Sequence, residues 1–480
     1  MSKPNGIISS LFWKTGERLS GQIIGLLVQI ILARLLLPED FACLAIINAI
    51  LNYLGLFVQC GLSIVVVQKK DLTKRDLSTL TSISLLVALV LFVALYLFAP
   101  VISNYYSVGD IVWPIRVMGI SLFLYSFNSI QTGLLTRKMQ FRTLFLRGLL
   151  ATSLSGIVGV VLAYSGFGIW SLIAYNIASI LLAVIFMNFI PELRLHLGLY
   201  WENAKELYSF SLKILGTNLI SSGGDTIRTL TIGKVYSPNQ LAFFDRGLSY
   251  SSLVTQVVNT SISSVLLSTF SRSQENIQQL QLMVRRSVGM SSYIMIPLLV
   301  FVAIVAKPLV GIVLSEKWIP CAIYLSIFCI LRIPGIITSI DKQVFYALGN
   351  SQIGLFYEIG LLLANLISLF FMLSYGPIAI AIGFTVIEYF GNFVLCLIAS
   401  KVYGYSLADR IKDLFLPVIN SIVLFIFCYS VYYLKLNSYY TLLLQFVVGV
   451  ASYYFMSIIT RDKNYVYIKE LFLNAIRHRQ

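Results

Sequence analysis

The segment Thr79–Ala99, TLTSISLLVALVLFVALYLFA, decides the fold class. It carries no charged side chain and is about the ~20 residues that a helix needs to cross a bilayer. What flanks it is equally informative. Lys69, Lys70, Lys74 and Arg75 stand before it, whereas Pro100–Val112 after it holds no lysine or arginine. The rest of the chain repeats this arrangement. About fourteen apolar stretches, from Leu11–Leu37 to Tyr440–Thr460, each approach spanning length. Hydrocarbon offers no water to backbone amides and carbonyls, so such stretches must be helical. The sequence therefore predicts an all-α polytopic membrane protein.

The gaps between stretches alternate in charge. One set holds Arg137, Lys138, Arg142 and Arg147, then Arg194 and Lys205, then Arg272, Arg285 and Arg286. It ends with Lys401, Arg410, Lys412 and the tail bases Arg461, Lys463, Lys469, Arg477 and Arg479. The other set holds only Arg34, Lys234, Lys307, Lys317 and Lys435. Basic loops stay cytoplasmic, so both termini are expected there. The net charge of +15, from 35 basic and 20 acidic residues, is a topology signal and an attraction to anionic lipid. Scattered over many short loops, these bases do not form a nucleic-acid surface.

Hydrophobic residues make up 58% of the chain and charged residues 11%, far from a soluble domain. The cysteines Cys43, Cys60, Cys321, Cys329, Cys396 and Cys428 lie in or beside apolar stretches, without metal-ligand spacing or a disulfide framework. Lys14, Glu17 and Arg18 interrupt the first stretch, so no cleavable signal is expected. No gap accommodates an ATPase domain, and no phosphate-cradling Gly-x-x-x-x-Gly-Lys occurs. The only histidines, His196 and His478, lie in basic segments, which leaves no material for a zinc site or a Ser-His-Asp triad in the membrane. Neither a cofactor nor a metal is expected.

Two halves repeat. Ala33-Arg34-Leu35-Leu36-Leu37-Pro38-Glu39-Asp40-Phe41-Ala42 joins the first and second stretches, and Gly233-Lys234-Val235-Tyr236-Ser237-Pro238-Asn239-Gln240-Leu241-Ala242 joins the seventh and eighth. Tyr164–Ile169 and Tyr375–Ile378 are matching glycine-bearing turns before the sixth and twelfth. Blocks of six helices enter the membrane the same way, which makes a parallel repeat. The expected organisation is an N-terminal lobe 1–190, a cytoplasmic interfacial linker 191–207, a C-terminal lobe 208–401, and two further helices with a basic tail in 402–480. Gly21-x-x-x-Gly25 is expected to pack closely within the bundle.

Polar residues fall on single helical faces. The first stretch has Arg18, Gln22 and Gln29; the second has Asn48, Asn52 and Gln59; the fourth has Tyr125, Asn128 and Thr132. The seventh carries Thr217, Asn218, Ser221, Ser222, Asp225, Arg228 and Thr229. The eighth carries Ser249, Ser252, Gln256, Asn259 and Ser263. Such groups hydrogen-bond between helices or line a wet path, and the two richest stripes favour the path. Deep ionisable residues are Glu17, Arg18, Arg116, Asp225, Arg228, Asp245, Arg246, Arg332, Asp341, Glu358 and Glu388. Asp225 and Arg228, three residues apart, neutralise each other on one face. Arg18 and Arg332 lack such a neighbour and are candidates for an anionic substrate. Glu388, isolated mid-helix, and Asp225 are candidates for ion coupling. Structural pairing across helices competes for each.

Several of these segments resemble one family. Val67–Thr79 (VQKKDLTKRDLST) strongly resembles the loop after the second helix of Wzx-type bacterial polysaccharide flippases. These belong to the multidrug/oligosaccharidyl-lipid/polysaccharide superfamily, and the likeness is to the colanic-acid-exporter branch. Ile31–Phe41 (ILARLLLPEDF) is similar to that family's first periplasmic turn, and Leu314–Ala322 (LSEKWIPCA) to its turn before helix ten. Gly224-Asp225 with Ile232-Gly233-Lys234 looks like its Asp-Arg-x-x-Ile-Gly pattern, except that Thr226 follows Asp225 and the arginine is Arg228. The resemblance implies two six-helix lobes around a central cavity plus two C-terminal helices. It implies alternating-access transfer of an undecaprenyl-diphosphate-linked oligosaccharide across the inner membrane, driven by an ion gradient. A polysaccharide polymerase and a chain-length regulator are the protein partners it implies. Arg18, Arg332, Arg228, Gln22, Gln29, Asn48, Asn52, Gln256 and Asn259 then become substrate-binding candidates, with Glu388 and Asp225 for the ion. A drug exporter of the same superfamily is the nearest competing reading. A membrane glycosyltransferase or polymerase is the enzymatic one, and the short outward gaps argue against it.

Overall fold

A computed structural model describes residues 4–69, 71–106, 111–273, 276–467 and 470. The chain divides into two compact units, Met1–Asp245 and Arg246–Gln480. The first contains α1 (Pro4–Leu35), α2 (Pro38–Gln59), α3 (Leu62–Gln68), α4 (Lys74–Tyr106), α5 (Val112–Gly119), α6 (Ser121–Arg137), α7 (Phe141–Tyr164), α8 (Ile169–Asn188) and α9 (Trp201–Val235). The boundary falls within α10 (Pro238–Arg272). The second unit continues with α11 (Ile277–Val313), α12 (Cys321–Leu331), α13 (Ile333–Ala347), α14 (Ser351–Met372), α15 (Pro377–Tyr403), α16 (Leu407–Ser430) and α17 (Ser438–Ile459). No strand occurs among the described residues.

Ten helical segments among the described residues are long and apolar enough to cross a membrane. The four other expected stretches coincide with α1, α9, α10 and the α5–α6 pair, which are helical but polar, short or interrupted. α4 shows what surrounds these helices. It exposes Val90, Leu97 and Phe98 while Ala88 and Ala99 are fully buried. Large apolar side chains outside and small ones at helix contacts suit a hydrocarbon solvent, where close backbone approach drives packing.

The turns quoted from the two halves have matching chemistry. Pro38 and Pro238 each open a helix, where a missing N–H costs nothing. Three residues into each turn a side chain reaches back: the Leu37 N–H donates to Asp40 Oδ2 at 3.0 Å and the Ser237 N–H to Gln240 Oε1 at 3.3 Å. The second matched pair turns on left-handed glycines, Gly168 (φ 52°) before α8 and Gly376 (φ 101°) before α15.

The family-like segment Val67–Thr79 is a helix-starting device. Thr73 and Asp76 cap α4 reciprocally: the Thr73 N–H donates to Asp76 Oδ2 at 2.9 Å and the Asp76 N–H to Thr73 Oγ1 at 3.1 Å. Asp76 is 1% exposed and takes Lys69 Nζ at 3.1 Å as its counter-charge. Arg137 closes the end of α3 by donating to the carbonyls of Val66, at 2.9 Å, and Lys69. Beneath lies an apolar cluster including Leu62, Val66, Leu80, Ile130, Leu135 and Met187. The segment before α9 docks on this end of α4: the Gly198 N–H donates to Ser82 Oγ at 2.9 Å and the Tyr200 N–H to Thr79 Oγ1 at 3.1 Å. Outside any span, the Glu192 carboxyl is held below its ordinary value by its hydrogen bond from Lys138.

Tight packing occurs where sequence spacing did not point. A Cβ on Gly21 would meet nothing within 4 Å and one on Gly25 only the Tyr175 hydroxyl at 3.8 Å, so the expected close packing of this pair is absent among the described residues. Gly61 is where glycine is required. Its φ is 67°, and a Cβ there would lie 2.7 Å from Ile214 Cγ2 of α9.

Candidate functional site

Arg332 stands at a break. α12 ends at Leu331 and α13 begins at Ile333, with Pro334 in the first turn. A proline has no N–H to give the carbonyl four residues back, which is that of Ile330. The Tyr389 hydroxyl of α15 takes that carbonyl at 3.2 Å. One turn on, Asn392 Nδ2 donates to the Pro334 carbonyl at 3.3 Å and to Thr338 Oγ1 at 2.9 Å. The break is thereby braced from α15, and the half-buried Arg332 guanidinium donates from it to Ser252 Oγ on α10. Gln256, one turn beyond Ser252, is exposed on α10. The side chain of Asn259 lies outside the described residues.

Glu388 precedes Tyr389 on α15 and is half-buried. Isolated in sequence, it is not isolated in space. It lies close enough to Tyr357 of α14 to interact with it electrostatically. Lys342 of α13 sits 5.0 Å from the Tyr357 ring centre and pairs with Glu358. The deep acids Glu358 and Glu388 and the base Lys342 thus form one neighbourhood around a tyrosine.

In the first unit, Asp225 and Arg228 form an ion pair at 2.8 Å, with the aspartate side chain 73% exposed and the arginine 11%. The Arg228 guanidinium also lies 5.8 Å from the Phe244 ring centre. Gln22 and Gln29 are half-buried on α1; on α2, Asn48 is half-buried and Asn52 exposed. The side chain of Arg18 lies outside the described residues. The Asn128–Thr132 stripe has a structural partner. Arg147 of α7 donates to Asn128 Oδ1 at 3.0 Å and Thr132 Oγ1 at 3.2 Å. A base counted with the loops is spent inside the bundle.

A buried polar assembly in the second unit joins residues that sequence spacing does not connect. Asp341 of α13 is fully buried and Arg410 of α16 is 3% exposed; they pair at 3.0 Å. The Tyr403 hydroxyl donates to the same carboxylate oxygen at 2.6 Å and accepts from Arg410 Nη2 at 2.9 Å. Arg410 also lies 4.2 Å from the Tyr405 ring centre. Beside it, Arg285 of α11 grips Asp413 with Nε and Nη2, both at 2.9 Å, and reaches Asp409 at 3.1 Å. The Tyr405 hydroxyl completes the Asp413 carboxylate at 2.9 Å. Helices α11, α13, α15 and α16 are tied at one end by these charges. No group of three or more metal-ligating side chains occurs among the described residues.

Comparison with known proteins follows the same line. Residues 31–323 match the family described as polysaccharide biosynthesis protein. An uncharacterised membrane protein in the cps region of Klebsiella pneumoniae is 21% identical, with 97% of each chain covered. The succinoglycan biosynthesis transport protein ExoT of Rhizobium meliloti is 22% identical over 67% of this chain and 65% of its own. Among solved structures, the lipid II flippase MurJ in its inward closed conformation superposes with a TM-score of 0.76. It is 18% identical and covers 93% of this chain and 98% of its own. That likeness shows a shared fold, and the family match covers more than half the sequence. The chain is a multi-pass membrane protein of the polysaccharide biosynthesis protein family.

Proposed function

We propose that this protein is a flippase that carries an undecaprenyl-diphosphate-linked oligosaccharide from the cytoplasmic to the outer leaflet of a bacterial inner membrane, for surface-polysaccharide synthesis. The observation that carries the reading is the conjunction of a polysaccharide-biosynthesis family match with the fold of a lipid II flippase. A relative named as a biosynthesis transport protein supports it. The chemistry agrees. A diphosphate needs bases, a glycan needs hydrogen-bonding surfaces, and a polyprenyl tail is content in lipid. Arg332, braced at a helix break and hydrogen-bonded through Ser252, supplies one such base, and Arg18 supplies another. Gln22, Gln29, Asn48, Asn52, Gln256 and Asn259 supply polar contacts to sugar. Both termini and the Lys69–Arg75 loop are cytoplasmic on this reading. The protein is a transporter and not an enzyme.

Translocation proceeds by alternating access, and net export draws on an ion gradient. An ion shifts a two-state equilibrium only if it binds the two states unequally. Glu388, beside Tyr357, Lys342 and Glu358, is the carboxylate assigned to that task; Asp225, already paired with Arg228, is the second choice. Deleting the gene in its native host tests the reading. Surface polysaccharide should disappear and the undecaprenyl-linked repeat unit should accumulate facing the cytoplasm. Accumulation on the outer leaflet instead would place the defect in polymerisation and contradict the proposal.

A further inference from the structure

The sparsely charged loops hold Arg34, Lys234, Lys307, Lys317 and Lys435. Lys234 is engaged: its ammonium donates to the Tyr105 carbonyl at 2.5 Å and lies 4.3 Å from that ring's centre. Lys307 and Lys435 are exposed and have no side-chain hydrogen bond, ion pair or ring contact among the described residues. They come from helix ends 128 residues apart in sequence and still converge, on a cavity of about 430 Å³ in the second unit. Lys307 arrives on the last turns of α11. Lys435 arrives on the turn between α16 and α17, in a left-handed backbone conformation (φ 47°) that L residues rarely adopt.

The rest of the lining sets the ligand chemistry. Asn437, Ser438 and Tyr439 bring the start of α17 to the cavity. No side chain caps that 22-residue helix, so its first amides point their positive end there. Glu316 also lines the cavity and has no ion pair among the described residues, which leaves two positive charges against one negative. The Tyr432 hydroxyl is committed to the Ile304 carbonyl at 2.8 Å and closes one wall. Both α11 and α17 are long and apolar enough to cross a membrane, and the cavity lies toward one end of each, the level at which a bilayer would present its phosphates. Its volume is near the lower end of the ~300–1,000 Å³ usual for small-ligand sites. That is room for a phosphodiester with a glycerol or one sugar.

We propose that this cavity is a binding site for a phosphate ester at the membrane surface, held by Lys307, Lys435 and the amino end of α17. Two sources supply that chemistry: the head of an anionic phospholipid and a soluble phosphate. Lysine acts here as a point charge, so binding weakens with ionic strength. The site is separate from the bases assigned to translocation, and its test reads binding and not export.

The full-length protein in detergent is titrated with dioctanoyl phosphatidylglycerol, and bound lipid is counted by native mass spectrometry. Phosphatidylglycerol should saturate one site at least tenfold more tightly than dioctanoyl phosphatidylcholine. The double variant Lys307→Ala/Lys435→Ala should lose that tenfold advantage, and Glu316→Gln should tighten binding several-fold. Inorganic phosphate in competition separates the sources: displacement at millimolar concentration identifies the phosphate alone as the ligand, and retention of lipid identifies the headgroup with its chains. Equal affinity of the wild-type protein and the double variant for phosphatidylglycerol would overturn the proposal. So would a Glu316→Gln variant that binds no more tightly than wild type. All three side chains are exposed, so the variants should fold; a melting temperature matching wild type confirms it.

Discussion

Arg332 is fixed by its surroundings and not by its rotamer alone. Pro334 breaks the helix, Tyr389 and Asn392 satisfy the carbonyls beside the break, and the guanidinium is left to reach Ser252. Replacing it with alanine should lower export at least tenfold, about 1.4 kcal/mol of lost interaction or more, with abundance in the membrane unchanged. Lysine should restore part of the activity, since it keeps the charge but not the planar fork. Undiminished export by Arg332→Ala at normal abundance would remove Arg332 from the substrate path. Asp341 and Arg410 should behave differently. Removing one partner of a buried pair leaves the other charge uncompensated, at about 3–5 kcal/mol. Asp341→Ala should therefore melt far below wild type in detergent, and Asp341→Leu/Arg410→Met should recover much of the loss. That pair also marks a limit of sequence reading. Sequence places Asp341 among the deep acids, with pairing across helices open, and Arg410 among the loop bases. Their meeting depends on tertiary packing between residues 69 positions apart. Arg147 stands among the loop bases in sequence, and only tertiary packing brings it to Asn128 and Thr132. Asp225 and Arg228, three apart on one helix, were legible because local geometry alone pairs them.

At the scale of elements, the clearest device is the start of α4. Thr73 and Asp76 satisfy each other's backbone N–H groups, and Lys69 neutralises the buried carboxylate. Losing such a cap costs roughly 0.5–2 kcal/mol, and stranding Lys69 adds to it. Asp76→Ala should lower the melting temperature of the detergent-solubilised protein by several degrees, with Asp76→Asn in between. Equal stability of all three would mean that the segment serves contacts other than this cap. Apolar length was enough to find the helices, and the small residue, base, proline and alanine shared by Ala33–Ala42 and Gly233–Ala242 were enough to pair two turns whose side chains reach back alike. Of the interruptions, only the α12–α13 break at Arg332 is marked in sequence, by Pro334. The α2–α3 break at Cys60-Gly61 and the α5–α6 break at Ile120 lie inside apolar stretches with no proline at the break. In hydrocarbon such breaks are tolerated when neighbouring side chains take up the freed backbone groups, and those neighbours are distant in sequence.

For the molecule as a whole, topology comes first. On the proposed orientation, Asn104 near the end of α4 and Tyr439 at the start of α17 lie outside the cytoplasm. Single cysteines at Asn104 and Tyr439, both exposed, should react with an impermeant maleimide added to intact cells whose outer membrane has been made porous. The background is low, because five of the six native cysteines are buried and Cys43 is half-buried. Labelling of either position only after the inner membrane is opened would invert the orientation. Transport itself is the decisive matter. The purified protein should be reconstituted in vesicles carrying an undecaprenyl-diphosphate-linked repeat unit in the inner leaflet, with a proton or sodium gradient imposed. The outer-leaflet glycan is then measured by its accessibility to an added glycosidase. Glycan should appear outside in a gradient-dependent manner, a signal abolished by Arg332→Ala and uncoupled from the gradient by Glu388→Gln. Vesicles that move a cationic drug but leave the lipid-linked glycan inside would contradict it.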